Sequence, residues 1–196
     1  MIIRDLRTNH LENPLGYKLD RPVFTWTADD TPAARQASAR VRVWQGDACV
    51  YDSGERADIC SLGFMPEMAL RPRARYEWQV SVTADNGESA QSERAWFETG
   101  KMGEPWAAKW IAAPFDRDAH PILSRAFTLP AKPVRARIYA VGLGVYELKL
   151  NGGTVGDEVL APFYNDYNLW VQAQTYDVTD LLRPGENRLD AWLGNG

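Results

Sequence analysis

The chain has 196 residues, 45% of them hydrophobic, with 22 Lys and Arg against 26 Asp and Glu and a formal net charge of -4. That composition supports packed cores and excludes a disordered chain, and the scattered basic residues argue against a nucleic-acid surface. Two cysteines, Cys49 and Cys60, are too few for a disulfide scaffold, and no apolar run reaches membrane-spanning length.

In chain order, Met1-Ile-Ile-Arg-Asp-Leu-Arg7 lacks the apolar core of a secretory leader, so the expected location is cytoplasmic, with no membrane contact. Val23 to Thr27, Ala39 to Trp44 and Val50 to Ser53 read as short strands, the last closed by Gly54. Arg75 to Thr83 alternates strictly, which predicts Tyr76, Trp78, Val80 and Val82 inward and Glu77, Gln79 and Ser81 outward. Asp85-Asn-Gly87 turns the chain and Ala95 to Thr99 closes the first domain. Short strands at this density predict a two-sheet sandwich over residues 1–100, and Leu70-x-Pro72 before Tyr76-x-Trp78-x-Val80 resembles fibronectin type III and immunoglobulin-like domains.

Residues 101–105 are polar, carry Gly103 and Pro105, and read as a linker. A second β-sandwich follows over 106–196, with strands expected at Leu123 to Leu129, Val134 to Val141, Tyr146 to Leu150, Gln172 to Asp177 and Arg188 to Leu193. Within it, Tyr146, Leu148 and Leu150 fall on one face and Glu147 and Lys149 on the other, before Asn151-Gly152, the pair that a type I′ hairpin turn favours. The pattern of Leu189, Ala191 and Leu193 forms only at the end of the chain. This strand is therefore expected to lack a neighbour, leaving an unpaired edge and an uncovered apolar face, with the second sandwich incomplete at its C-terminus.

Several runs resemble one family. Leu11-Glu-Asn-Pro-Leu-Gly-Tyr17, Arg21-Pro-Val-Phe-Thr-Trp26, Tyr51-Asp-Ser-Gly54 and Trp96-Phe-Glu-Thr-Gly100 are similar to the first, fibronectin-like domain of bacterial α-L-rhamnosidases of glycoside hydrolase family 78. Trp106-x-Ala-x-Trp110-Ile111 is similar to the junction. Val141-x-Leu143-Gly144-x-Tyr146-Glu147-Leu148, Asn151-Gly152, Val155-Gly156-Asp157, Gln174 to Leu182 and Leu193-Gly-Asn-Gly196 are similar to the second, jelly-roll-like domain. The family usually follows Leu160-x-Pro162 with Gly-Trp-Thr-Asp-Tyr and basic residues; here Phe163-Tyr-Asn-Asp-Tyr167 and Asn168-Leu-Trp-Val171 stand instead.

The resemblance implies an all-β chain of two consecutive β-sandwich domains. It implies a non-catalytic part of an enzyme releasing terminal α-L-rhamnose, whose acid and base sit on a catalytic (α/α)6 barrel outside this chain. That barrel is the implied partner.

The candidate carboxylates are Asp157, Glu158, Asp166, Asp177 and Asp180. Hydrolysis with inversion needs two carboxyls about 6.5–9.5 Å apart. Asp157 and Glu158 are adjacent and face opposite ways on a strand, and Asp177-Val-Thr-Asp180 reads as turn chemistry, so no catalytic residue is assigned. A sugar contact is expected on Tyr164, Asn165, Asp166, Tyr167 and Trp170, where aromatic faces stack on a pyranose and amides and carboxylates bond its hydroxyls. Related sandwich modules bind L-rhamnose through calcium, so the expectation is no cofactor unless calcium occupies this oxygen-bearing loop. The competing expectation is that these aromatics pack between the sheets or against the barrel. A free-standing carbohydrate-binding module for rhamnosides is the alternative to an enzyme part. His10 and His120 are isolated, so neither a metal centre nor a Ser-His-Asp triad is expected.

Overall fold

The computed structural model describes residues 1–114 and 120–194; of the runs compared above, Asn195 and Gly196 lie outside the described residues. Contacts divide the chain into two units, Met1–Pro105 and Trp106–Gly196. Fourteen strands and one short 3-10 turn make up the regular structure among the described residues.

The first unit holds β1 (Ile2–Thr8), β2 (Leu15–Tyr17), β3 (Phe24–Asp29), β4 (Gln36–Gln45), β5 (Ala48–Asp52), β6 (Arg75–Ala84), β7 (Ser89–Gln91) and β8 (Ala95–Thr99). One sheet pairs β1 with β3; the other runs β2-β8-β6-β4-β5, with β7 also on β6. The alternation expected for β6 is observed: Tyr76, Trp78, Val80 and Val82 are buried and the intervening residues are not. These side chains meet Phe24 and Trp26 from β3 and Phe97 from β8 in one core. Phe24 stacks on Trp78 with ring centroids 4.2 Å apart, and Tyr76 stacks on Phe97 at 5.1 Å. The two sheets are also pinned by a buried hydrogen bond, in which the Trp78 indole N–H donates to Thr8 Oγ1 at 3.1 Å. The Tyr76 hydroxyl accepts the backbone N–H of Arg71 at 2.9 Å, a tyrosine-corner bond that ties the incoming loop to its strand.

On the outer face the register sets Trp44, Glu77 and Trp96 in one cross-strand row. Arg94 lies 4.1 Å from the Trp44 ring centre and Arg75 lies 3.9 Å from that of Trp96, while Arg94 also pairs with Glu77 at 3.0 Å. Both indole rings are thus occupied by guanidinium groups. The expected linker, 101–105, is held by the first unit, since Glu104 pairs with Arg73 at 2.6 Å.

The second unit holds β9 (Ile122–Leu129), β10 (Arg137–Ala140), β11 (Tyr146–Leu150), β12 (Gly153–Thr154), β13 (Gln174–Asp177) and β14 (Gly185–Leu193). One sheet runs β12-β11-β14-β9 and the other pairs β10 with β13. Tyr146, Leu148 and Leu150 of β11 share a core with Tyr176 of β13, Val155, Val178 and Leu182. Asn151 and Gly152 take φ of 53° and 85°, the positive values that a type I′ turn requires.

Two expectations are corrected here. The strand expected over Val134 to Val141 is only β10, Arg137–Ala140. Pro133 precedes a fully exposed Val134, and the backbone N–H of Ala136 is taken by the Thr179 hydroxyl at 3.0 Å instead of a ladder partner. Nor is the last strand unpaired. β14 is central, bonded to β11 on one side and along its length to β9 on the other, because β9 returns from some sixty residues earlier to close that flank. Its Leu189, Ala191 and Leu193 pack against the core and are half-buried.

Candidate functional site

The loop between β12 and β13 carries all five residues expected to touch sugar. Its backbone is fixed by bonds that its own sequence supplies. The Ala161 carbonyl accepts the N–H of Tyr146 at 2.8 Å, which ties the loop to the first residue of β11, and the Ala161-Pro162 peptide is cis. Asp166 then builds a turn. Its Oδ1 accepts the backbone N–H of Asn168 at 3.0 Å and the Asn168 side-chain amide at 3.2 Å, while its carbonyl accepts the N–H groups of Leu169 and Trp170 at 2.9 and 3.0 Å. Asx chemistry of this kind is why a loop without regular structure can still hold one shape. The Tyr167 hydroxyl accepts the N–H of Gly144 at 2.8 Å and latches the loop to the turn before β11.

The five residues divide on this frame. Tyr164 is 93% exposed, Trp170 56% and Tyr167 46%, and Asp166 is also at the surface. The aromatics therefore do not pack between the sheets of this chain. Asn165 is inside, at 2% exposure. Its amide donates to the Phe163 carbonyl at 2.6 Å, and its Oδ1 is buried with no hydrogen-bond partner. Asn165 thus shapes the loop from beneath and does not present its amide to a sugar on the outer surface.

Reading for polar and aromatic residues missed the aliphatic content of the same loop. Val159, Leu160, Phe163 and Leu169 are each at least 74% exposed. The signal was available: these residues show neither strand alternation nor helical spacing, so no regular element could bury them.

The candidate carboxylates have structural employment or open solvent around them. Asp177 pairs with Arg137 at 2.8 Å and accepts the N–H and hydroxyl of Thr179 at 3.0 and 2.7 Å, the turn chemistry expected from the sequence. Asp180 reaches Lys132 at 3.4 Å, and Asp157 and Glu158 are exposed. Glu158 lies by the phenols of Tyr146 and Tyr176, which come from the two different sheets. Burial chiefly, then Tyr176 and Glu158, push the Tyr146 phenol above the ordinary tyrosine range; burial chiefly, helped by Glu158 and opposed by the bond with Tyr146, pushes Tyr176 up as well. The Tyr146 hydroxyl donates to Gln174 Oε1. Both phenols are protonated at neutral pH and act as cross-sheet fasteners.

A cavity of about 240 Å³ lies in the first unit, lined by Asp5, Arg7, Glu12, Asn13, Glu93 and Arg94. Asp5 is held by the Thr27 hydroxyl at 3.0 Å, Asn13 by the N–H of Trp96 at 2.9 Å, and Arg94 by Glu77 and Trp44 as described. Among the described residues no three His, Cys, Asp or Glu side chains are placed to hold a metal ion. Within residues 164–170 Asp166 is the one carboxylate and one of its oxygens is committed to Asn168, whereas calcium takes six to eight oxygen ligands; Asp157 and Glu158 stand earlier in the same loop.

Two family models match the sequence. One, described as a Rha78A-like N-terminal immunoglobulin domain, matches residues 3–103, and the other, described as an α-L-rhamnosidase N-terminal domain, matches residues 131–196. An α-L-rhamnosidase from Streptomyces avermitilis is 50% identical over 97 residues, covering 46% of this chain and 9% of that protein. One from Formosa agariphila is 30% identical over 223 residues, covering 96% of this chain and 23% of that protein. Among solved structures, the α-L-rhamnosidase of Dictyoglumus thermophilum superposes with a TM-score of 0.88 at 30% identity, covering 100% of this chain and 25% of that one. The Aspergillus terreus enzyme, at 24% identity and a TM-score of 0.86 over 100% of this chain and 24% of its own, shares the fold. The chain spans about a quarter of the length of these full-coverage relatives.

Proposed function

We propose that this chain, which belongs to the family of Rha78A-like N-terminal immunoglobulin domains and continues into an α-L-rhamnosidase N-terminal domain, is a non-catalytic part of a larger α-L-rhamnosidase. The parent enzyme releases terminal α-L-rhamnose from glycosides, with acid and base on an (α/α)6 barrel outside these residues. The two sandwiches pack on that barrel and support it. The observation that carries this reading is the superposition of the whole chain on one quarter of an α-L-rhamnosidase. The state of the carboxylates supports it too: Asp166, Asp177 and Asp180 are engaged in turns or ion pairs, and Asp157 and Glu158 are exposed.

The chain should not turn over p-nitrophenyl α-L-rhamnoside. Turnover that survives repurification and disappears in Asp166→Asn would refute the assignment.

A second reading, a free-standing module for rhamnosides, is favoured by the open faces of Tyr164, Tyr167 and Trp170. Contact with a monosaccharide outside a deep pocket would be weak. It is tested by titrating L-rhamnose into the labelled chain, where shifts confined to the first unit would exclude this loop.

A further inference from the structure

We infer that the loop 159–170 is the surface by which the second unit docks onto the remainder of the rhamnosidase polypeptide; this rests on the function proposed above and adds the place. Twenty large apolar residues are exposed among the described residues, six in Met1–Pro105 and fourteen in the second unit. Seven of those fourteen fall within the twelve residues of this loop. The first unit buries most of its aromatics in a core or covers them with guanidinium groups, leaving Tyr17 as its exposed one among the described residues. The second leaves Val159, Leu160, Phe163, Tyr164, Leu169 and Trp170 open, at 56–93% exposure. Exposed apolar side chains at this density along one loop mark an interaction site.

The occupant follows from three observations. The relatives that contain this fold run to about four times its length, so three quarters of such a polypeptide is available to cover it. The loop carries a single ionisable side chain with a charge at neutral pH, Asp166, which is engaged in its own turn, so the complementary surface is apolar and uncharged. And the exposed set includes Val159, Leu160 and Leu169, which have no planar face to stack on a pyranose and find their complement in a protein surface. The loop is also preshaped. The Asp166 turn, the Tyr167 latch onto Gly144 and the buried Asn165 hold its backbone before any partner arrives, which lowers the ordering cost of docking.

The test compares the isolated chain with a chimera in which this chain replaces the matched quarter of the Dictyoglumus thermophilum α-L-rhamnosidase. Side-chain oxidation footprinting reads Phe163, Tyr164, Leu169 and Trp170 in both. In the chimera their oxidation should fall several-fold. Phe163→Ser/Leu169→Ser/Trp170→Ser should abolish the protection of Tyr164 and lower the chimera's melting temperature, while leaving the isolated chain's melting temperature unchanged; Tyr164→Ser should weaken the protection of Phe163, Leu169 and Trp170 in smaller measure. In the isolated chain the triple variant should also lose most of the fluorescence of a bound apolar dye, and a wild-type chain that binds none would count against the inference. A chimera that hydrolyses p-nitrophenyl α-L-rhamnoside with these side chains as reactive as before overturns the docking surface and leaves the proposed function standing. A chimera in which no face of the chain gains protection overturns the proposed function itself. Protection of Tyr164 and Trp170 in the isolated chain by L-rhamnose reassigns the loop to sugar and overturns docking.

Discussion

Replacing Thr8 by Val isolates one hydrogen bond in the first unit. Thr8 is 1% exposed and Trp78 is fully buried, and the indole N–H donates to Thr8 Oγ1 at 3.1 Å. Valine keeps the volume and the branch at Cβ, so no cavity opens, and the backbone bonds between Thr8 and Leu11 at 2.9 and 3.0 Å are untouched. What changes is that a buried donor loses its acceptor. An unsatisfied buried group costs about 1–3 kcal/mol, and the greater strand preference of valine offsets a few tenths. The net loss is about 1–2 kcal/mol, or roughly 5–15 °C for a unit of about a hundred residues. Differential scanning calorimetry should show the first unit's transition moving by that amount and the second unit's staying in place. Trp78→Phe removes the donor as well, so in that background Thr8→Val should cost nothing, and the cycle should return a coupling of about 1–2 kcal/mol. An equal cost of Thr8→Val with and without the indole N–H would refute the reasoning.

Gly100→Ala should remove about 3 kcal/mol or more from the first unit, because its Cβ would lie 2.2 Å from the Gly16 carbonyl oxygen, with backbone on both sides of the clash; chemical denaturation reads the loss. Asn151→Ala should cost the second unit about 2–3 kcal/mol, since it removes the acceptor of the Arg188 N–H at 2.9 Å and the donors to Leu181 and Asn187 at 2.8 Å, and a melting curve unaffected in that unit would contradict the assignment. The Arg40 guanidinium holds the Asp52 carboxyl at a pKa of about 2, below its usual 3.8. A folded value below the unfolded one means that stability is fully present above about pH 4 and is lost as pH falls toward 2. Because the pair is solvent-screened, Asp52→Asn should cost only about 0.5 kcal/mol at pH 7 and nothing at pH 2, as read from melting temperatures at the two values.

The strands with a buried face could be read from residue spacing. β6 and β11 have one face in a core and one in solvent, and that asymmetry writes a period of two directly into Arg75–Ala84 and Tyr146–Leu150. β14 could not be placed the same way. Its pattern announces a strand, yet whether a strand is central or at an edge depends on which distant segment lies beside it, and β9 is remote in sequence. The short extent of β10 was hidden for a related reason, since a side chain, Thr179, takes the bond that would have extended the ladder. In the loop, the chemistry-bearing types Tyr164, Asp166, Tyr167 and Trp170 were visible, but an asparagine looks the same in sequence whether it faces solvent or supports a turn from below, as Asn165 does.

The central position of β14 also bears on how the protein is made. Ribosomes release the chain from its amino end, so β9 and β11 emerge well before the strand that lies between them. For that interval both carry unpaired backbone edges, and β11 carries an apolar face without its cover. The first unit has all eight of its strands by Thr99 and can close in the meantime. The second half of the nascent chain is therefore the part exposed to wrong pairing during synthesis, for as long as β11 has emerged and β14 has not.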